Sequence, residues 1–161
     1  MTDLSELAER VGAGLKQRKE TVAVAESSSG GLVAAALLAV PGASAYFMGG
    51  VVIYTRDAKI RFLGIPEKTL DEVRSSSEPH AMILARTIRE KMGTDWGIAE
   101  TGAAGPTGNR YGDAAGHVCV AVSGPVDIVT TIETGKADRA ANMQAFATAA
   151  LSLAEKTMNK A

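Results

Sequence analysis

The chain has 161 residues, of which 46% are hydrophobic and 22% are charged, and its formal net charge is −1. These values are typical of a single soluble domain over residues 1–161, and they lack the excess positive charge that marks most nucleic-acid-binding proteins. The lone cysteine, Cys119, excludes an intrachain disulfide and a metal site built from several cysteines. We therefore expect the protein to bind no metal and no nucleic acid. No apolar run could cross a bilayer and the N-terminus is unlike a secretory signal, so we also expect a cytoplasmic protein that binds no membrane.

The hydrophobic pattern predicts helices alternating with strands. Leu4, Leu7, Val11 and Leu15 recur at helical spacing and predict an amphipathic helix over residues 3–18. There follow a strand over 21–25, a helix over 29–39, a strand over 49–55, a short helix over 56–63, a helix over 78–92, strands over 95–101, 116–123 and 126–132, and a helix over 137–157. This order predicts a three-layer α/β/α sandwich whose mixed, mostly parallel sheet has about five strands, the last two forming a hairpin.

Three polar or glycine-rich segments lie at the carboxyl ends of predicted strands. They are residues 27–31, residues 54–59 and residues 101–105. In open α/β sheets, ligands bind beyond the carboxyl ends of the strands. We therefore expect the three segments to converge on one crevice.

The first segment is Ser27-Ser28-Ser29-Gly30-Gly31, between a strand and an Ala/Leu-rich helix. One of its serines could serve as the helix N-cap. Successive N–H groups at a helix start could instead hold a phosphate. As a third alternative, a serine here could be a nucleophile beside an oxyanion hole. The segment alone leaves all three open.

The second segment carries Lys59, which is either a solvated surface charge or a general base. A base must be neutral near pH 7, and burial or a neighbouring Arg56 or Arg61 could lower its pKa. Tyr54, at the strand end, could hydrogen-bond within the site or simply pack there. Serine and lysine form a known nucleophile–base pair.

Other polar residues give weaker signals. Glu26 and Glu100 end their strands and either orient a site or are exposed. His80 and His117 have no aspartate partner at a recognisable spacing, which argues against a Ser-His-Asp triad. The glycine-rich loop over residues 102–113 is either a structural turn or a ligand contact, since glycine lets the backbone approach a ligand closely.

Taken together, these segments resemble the CinA C-terminal domain family, whose stand-alone form is nicotinamide-nucleotide amidase. Residues 25–31 resemble the family pattern Ala-Glu-Ser-Cys-Thr-Gly-Gly, and the resemblance covers about residues 5–155. The other matching segments, in family order, are residues 41–44, Phe47, 50–51, Tyr54, 58–59, 63–64, 77–78, 101–106, Gly116 and Val118.

The resemblance implies hydrolysis of the carboxamide of nicotinamide mononucleotide to nicotinate mononucleotide and ammonia, without metal or cofactor. It implies Ser27 as nucleophile, Lys59 as base, and a homodimer or higher homo-oligomer. The predicted oxyanion- or anion-binding residues are Ser29, Gly30 and Gly31. The predicted substrate contacts are Tyr54, Ser44, Thr101, Gly102, Gly105 and Arg139.

The chain departs from the family pattern at its predicted ligand contacts. Arg74-Ser75-Ser76 stands in place of Gly-Ala-Val, and residues 107–116 lack the Lys-Pro-Val-Gly ending. Residues 136–139 match Gly-Asp-Arg only loosely, and Met143 stands where an arginine is usual. Two alternatives therefore stay open beside the nucleotide amidase: a Ser/Lys hydrolase of another small amide, or a non-catalytic nucleotide-binding module linked to competence or DNA damage.

Overall fold

The computed structural model describes residues 3–161, which form a five-stranded mixed sheet with helices on both faces. The strands are β1 (Val22–Glu26), β2 (Phe47–Val52), β3 (Trp96–Ala103), β4 (His117–Ser123) and β5 (Ile128–Glu133). The helices are α1 (Leu4–Arg18), α2 (Leu32–Leu38), α3 (Arg56–Leu63), α4 (Glu67–Glu72), α5 (Glu78–Met92) and α6 (Arg139–Lys160).

The strand order is β2-β1-β3-β4-β5. β1 pairs in parallel with β2 and β3, and β4 pairs antiparallel with β3 and β5. Only β4 therefore runs against the other strands, which confirms the predicted mixed α/β fold. The carboxyl ends of β1, β2 and β3 lie at one edge of the sheet, and the three polar segments follow them there.

The two faces of the sheet differ in side-chain size. One face carries large apolar side chains, Val24 and Trp96 among them, and packs against α1, α2 and α6. The opposite face carries small residues such as Ala25 and Ala99 and packs against α5. At Gly97, a Cβ atom would lie 2.2 Å from the carbonyl oxygen of Ala85, so α5 approaches β3 more closely than any side chain would allow.

Several boundaries differ from the predicted ones. α2 begins at Leu32 rather than residue 29, because residues 27–31 form a separate turn in which Gly30 and Gly31 have φ values of 65° and 104°. β2 ends at Val52, where its register with β1 ends. β3 continues to Ala103 because it pairs with β4 that far.

α4 was not predicted from the sequence, because its six residues are too few to show a helical period. No helix within residues 3–161 combines the length and the apolar character that a membrane crossing requires.

Candidate active site

The serine turn leaves the carboxyl end of β1 and is buried. Ser27, Ser28 and Ser29 expose 7%, 5% and 0% of their surface. Burial of three hydroxyls requires a hydrogen-bond partner for each, or an opening to solvent. The partners of each serine therefore decide what it can do.

Glu100, on the adjacent strand β3, holds most of this turn. Its Oε1 accepts the N–H groups of Ser27 at 2.6 Å and Ser29 at 2.7 Å, and its Oε2 accepts the Ser28 hydroxyl at 2.6 Å. Burial raises the pKa of Glu100 above its ordinary value, against the hydrogen bonds from the three serines, which lower it. Of the two roles left open for Glu100, the structure selects orientation of the turn.

Glu26 binds the free N–H groups at the start of α2. Its carboxylate accepts the N–H groups of Val33 at 2.9 Å and Ala34 at 3.0 Å. The Ser29 hydroxyl lies 2.6 Å from the same carboxylate and 2.8 Å from Glu100. No serine caps this helix, whose N-cap residue is Gly31. The start of α2 therefore has neither a serine cap nor a place for a phosphate. The Glu26 carboxylate already accepts the N–H groups there.

The expected oxyanion donors also need correction. The Ser29 N–H donates to Glu100, and the Gly30 N–H donates to the Ser27 carbonyl at 3.3 Å. Within the part of the chain that the structure describes, the N–H groups of Ser28 and Gly31 donate to no acceptor. These two N–H groups are the turn's remaining donors for a ligand oxygen.

The Ser27 hydroxyl is the uncommitted one of the three. Ser28 and Ser29 direct their hydroxyls at carboxylates, whereas the Ser27 hydroxyl has no hydrogen-bond partner in residues 3–161. This hydroxyl is not buried away from solvent, because Ser27 lines a surface pocket of about 230 Å³. The geometry therefore leaves Ser27 free to react.

Lys59 lies on α3, which begins after its N-cap Thr55. The residue is only 3% exposed, and its Nζ donates to the Ser75 hydroxyl at 3.2 Å. Burial lowers the pKa of Lys59 to about 8, against the charge of Glu100, which raises it. Burial is thus the physical cause of the depressed pKa, and a substantial fraction of Lys59 is neutral near pH 8. Its Nζ makes no hydrogen bond to Ser27.

His80 lines the same cavity as Lys59. Its Nδ1 donates to the Val73 carbonyl at 3.1 Å, so its Nε2 carries a lone pair, and this buried nitrogen has no partner in the described residues. Burial and the nearby Lys59 charge lower the pKa of His80 to about 4. Lys59, Ser75 and His80 line a small cavity of about 60 Å³, together with Arg56 and Arg110. His80 is a neutral acceptor here and belongs to no catalytic triad.

A second pocket of about 250 Å³ adjoins the Ser27 pocket and shares Ser28, Tyr54 and Arg139 with it. Its lining also includes Gly102 and Gly105. Arg139 donates to the Gly105 carbonyl and, at 3.3 Å, to the Tyr54 hydroxyl. Together the two pockets form a cleft at the carboxyl edge of the sheet, of a size that suits a nucleotide-sized ligand.

Two predicted contacts lie elsewhere. Thr101 is 2% exposed, and its hydroxyl accepts the Ser76 N–H at 3.1 Å, so it supports a neighbouring loop instead of lining the cleft. Ser44 lies in a short 3-10 turn before β2, at the amino edge of the sheet. Within one copy of the chain, Ser44 is therefore at the opposite edge from Ser27, and its assignment as a substrate contact is corrected.

Some site residues were not predicted from the sequence. Ser75 and His80 join the Lys59 cavity, and Asn109 joins the cleft. The departure of Ser75 from the family pattern was a usable signal, but no spacing linked His80 to Lys59. No group of three His, Cys, Asp or Glu side chains in residues 3–161 is arranged to hold a metal ion.

Comparison with known proteins identifies relatives along nearly the whole chain. A CinA-like protein from Chlorobium limicola is 40% identical over 150 residues, which cover 90% of this chain and 35% of that protein. A CinA-like protein from Desulforapulum autotrophicum is 41% identical over 152 residues, covering 93% of this chain and 36% of that one. The chain spans about a third of the length of these curated relatives.

Solved structures share the fold. A competence-damaged protein (CinA) superfamily protein from Klebsiella pneumoniae superposes with a TM-score of 0.93 at 28% identity, covering 99% of this chain and 100% of that one. A competence/damage inducible protein from Agrobacterium tumefaciens gives 0.90 at 30% identity, covering 99% and 97%. The family model for the CinA C-terminal domain matches residues 4–158. This chain belongs to the CinA C-terminal domain family.

Proposed function

We propose that this domain hydrolyses the carboxamide of nicotinamide mononucleotide to nicotinate mononucleotide and ammonia, with Ser27 as nucleophile and Lys59 as general base. The observation that carries the proposal is the free Ser27 hydroxyl in a turn whose other two hydroxyls are bound to carboxylates. The buried Lys59, with its lowered pKa, supports the same proposal.

In the first half of the reaction, neutral Lys59 takes the hydroxyl proton of Ser27, and Oγ bonds to the amide carbon. The carbonyl oxygen becomes an oxyanion, which the free N–H groups of Ser28 and Gly31 stabilise. Lys59 then returns the proton to the amide nitrogen, the C–N bond breaks, and ammonia leaves an acyl-enzyme.

In the second half, Lys59 takes a proton from water, whose oxygen bonds to the acyl carbon. The tetrahedral intermediate collapses, the bond to Ser27 Oγ breaks, and the proton passes to Oγ. For both halves, Lys59 Nζ must exchange its hydrogen bond to Ser75 for one toward Ser27 or the water. Catalytic hydrogen bonds often tighten only when substrate is bound.

The cleft favours an anionic nucleotide over a neutral amide. Arg139 is exposed at the pocket, and Gly102 and Gly105 line the same pocket. A phosphate placed against this wall would orient the nucleotide so that its carboxamide reaches Ser27. The positive pyridinium ring withdraws electrons from the amide and makes its carbon more electrophilic.

The test is ammonia release from nicotinamide mononucleotide by the unmodified domain, beside Ser27→Ala and Lys59→Met. We expect each variant to lose several orders of magnitude in kcat, since removing a nucleophile or its base can cost on the order of a million-fold. Ser5→Ala and Lys68→Met change the same residue types at exposed positions and should keep full activity. A folded parent that releases no ammonia would overturn the proposal.

Arg139→Gln distinguishes a nucleotide amidase from a hydrolase of another small amide. We expect KM for nicotinamide mononucleotide to rise at least tenfold, because the phosphate loses a charged donor. KM for nicotinamide riboside, which has no phosphate, should change little. Binding of the nucleotide without turnover would favour the non-catalytic module instead.

A further inference from the structure

His117 and the segment 74–77 meet at one carbonyl group. The Ser76 carbonyl accepts a hydrogen bond from His117 Nε2 at 2.8 Å and lies 3.5 Å from the Cys119 sulfur. Ser76 has a φ of 58°, a left-handed conformation that a serine adopts only when its surroundings hold it there. The hydrogen bond from His117 is one of the contacts that hold it.

Both ring nitrogens of His117 face groups that can only accept. Nε2 faces the Ser76 carbonyl, and Nδ1 lies 2.6 Å from a carboxylate oxygen of Glu133 on β5. A carbonyl oxygen and a carboxylate have no proton to give, so both nitrogens must carry hydrogen and the ring is an imidazolium. A second carboxylate, that of Asp113, lies 3.7 Å from Nε2.

The groups around His117 account for its protonation. Burial alone would lower the pKa of His117, but the hydrogen bonds to Glu133 and Ser76 and the charges of Asp113 and Glu133 raise it above its ordinary value. The other charged or titratable neighbours are Cys119 on β4, Arg74, which pairs with Asp113 at 2.8 Å, and Glu78 on α5, which reaches this region through Thr131.

The held segment carries the one hydrogen-bond partner of the Lys59 Nζ within residues 3–161. Ser75, directly before Ser76, accepts the Lys59 Nζ at 3.2 Å. Arg74, one residue earlier, is fixed by Asp113. The two stretches that depart from the family pattern, residues 74–76 and 107–116, are therefore joined to each other next to Lys59.

We propose that His117 is a positioning residue for Lys59, which its imidazolium places through the Ser76 carbonyl and the Ser75 hydroxyl. The inference rests on the proposed function in taking Lys59 as the general base. Loss of the imidazolium proton leaves one ring nitrogen without a hydrogen. The remaining hydrogen stays on Nδ1, because the hydrogen bond to the Glu133 carboxylate is stronger than the one to a neutral carbonyl, so the Ser76 carbonyl loses its donor. The Ser75 hydroxyl is then no longer fixed on Lys59.

The consequence is two opposed pH requirements. Lys59 acts as a base only when neutral, so activity rises as pH passes its pKa of about 8. His117 holds the segment only when protonated, so activity falls as pH rises through the His117 pKa. We expect His117→Gln, which does not titrate, to lower kcat by roughly ten- to a hundredfold with KM little changed, the cost of a misplaced catalytic group.

The deciding measurement is an NMR titration of the Lys59 13Cε resonance in 13C-lysine-labelled protein, assigned by its absence in Lys59→Arg. In the parent we expect an additional inflection at the pH where the His117 ring titrates. It should vanish in His117→Gln and remain in Cys119→Ala, which alters the same carbonyl contact without an imidazolium. Superimposable Lys59 curves in the parent and a folded His117→Gln would overturn the proposal.

Glu133→Gln supplies the second variant if His117→Gln does not fold. Without the Glu133 charge, His117 should titrate at lower pH, and the Lys59 inflection should move down with it. An inflection that stays in place while His117 moves would also overturn the proposal. Because the NMR titration needs no substrate, a parent that hydrolyses no amide would reject the proposed function and leave this test intact.

Discussion

The carboxylate of Glu100 accepts the backbone N–H of Ser27 at 2.6 Å, although the two residues are 73 positions apart in the sequence. The hydrogen bond joins the turn after β1 to β3, since β1 and β3 are paired in register up to Ala25 and Ala99. The same charge raises the pKa of Lys59. One buried side chain thus acts on both the candidate nucleophile and the candidate base.

Glu100→Gln should destabilise the fold and make Lys59 easier to deprotonate. Loss of hydrogen bonds to a charged, buried acceptor typically costs about 1–3 kcal/mol, to be measured as the change in the free energy of urea unfolding. The pKa of Lys59 should fall further, because the charge that raises it is gone. Glu155→Gln, at an exposed ion pair with Arg10, should cost clearly less, because solvent screens such a pair. Equal costs for the two variants would contradict the role assigned to Glu100.

Lys59 should make stability depend on pH in the alkaline range. Its pKa is about 8 in the folded protein against an ordinary 10.5, so between these values the unfolded chain binds more protons and stability rises with pH. The full difference corresponds to roughly 3 kcal/mol. We expect urea unfolding of the parent to show this rise between about pH 8 and pH 10.5, relative to Lys59→Met. The exposed-site control Lys68→Met should follow the parent; a Lys59→Met curve parallel to the parent's would refute the expectation.

The two histidines of the chain should titrate on opposite sides of 6.5. His80 has a pKa near 4, because burial and Lys59 disfavour its charge, whereas acceptors on both ring nitrogens raise that of His117. His80 therefore contributes stability above pH 6.5 that is lost as pH falls toward 4, and His117 contributes stability at low pH that is lost as pH rises through its own pKa. An NMR spectrum of the ring 13Cε1–H groups contains only these two signals.

His80→Gln and His117→Gln assign the signals by removing one each. The 15N shifts of the His80 ring should show the Nδ1–H tautomer, because Nδ1 faces the Val73 carbonyl. Two signals that both titrate near 6.5 would show that neither ring has the surroundings described above.

Gly97→Ala should destabilise the protein by about 1–3 kcal/mol or more, as overpacking of a close contact does. The new Cβ would meet the backbone oxygen of Ala85 at 2.2 Å, and backbone cannot move aside as a side chain can. Gly14→Ala, within α1, meets only the movable end of Arg18 at 3.0 Å and should stabilise the helix by up to ~1 kcal/mol. Thermal unfolding of both variants shows whether each substitution raises or lowers the stability of the fold. A stabilising Gly97→Ala would contradict the described packing.

Local signals account for the elements that the sequence predicts well. α3 and α5 were predicted with their observed bounds, because the capping residues that end them lie directly beside them in the sequence. α4 is too short to carry such a pattern. The three strand-end segments were expected to meet, and the parallel pairing of β1, β2 and β3 does bring their ends to one edge.

The partners of the site residues could not be predicted in the same way. Whether Glu100 reaches Ser27, or His117 reaches Ser76, depends on strand register and on how loops fold over the sheet, and neither is encoded in a local pattern. The uncommitted Ser27 hydroxyl becomes evident only after the other two serines have been assigned their acceptors. The cluster of three serines by itself could not single out one of them.

The serine turn is fastened by Glu26 and Glu100, which belong to β1 and β3, whereas the walls of the cleft come largely from the loop after β3 and the start of α6. The residues that hold the serine turn and the residues that line the cleft thus lie in separate stretches of the chain. Substitutions in the loop can reshape what enters the cleft while Ser27 keeps its place. In this domain, the shape of the cleft and the placement of the Ser27 hydroxyl can change independently of each other.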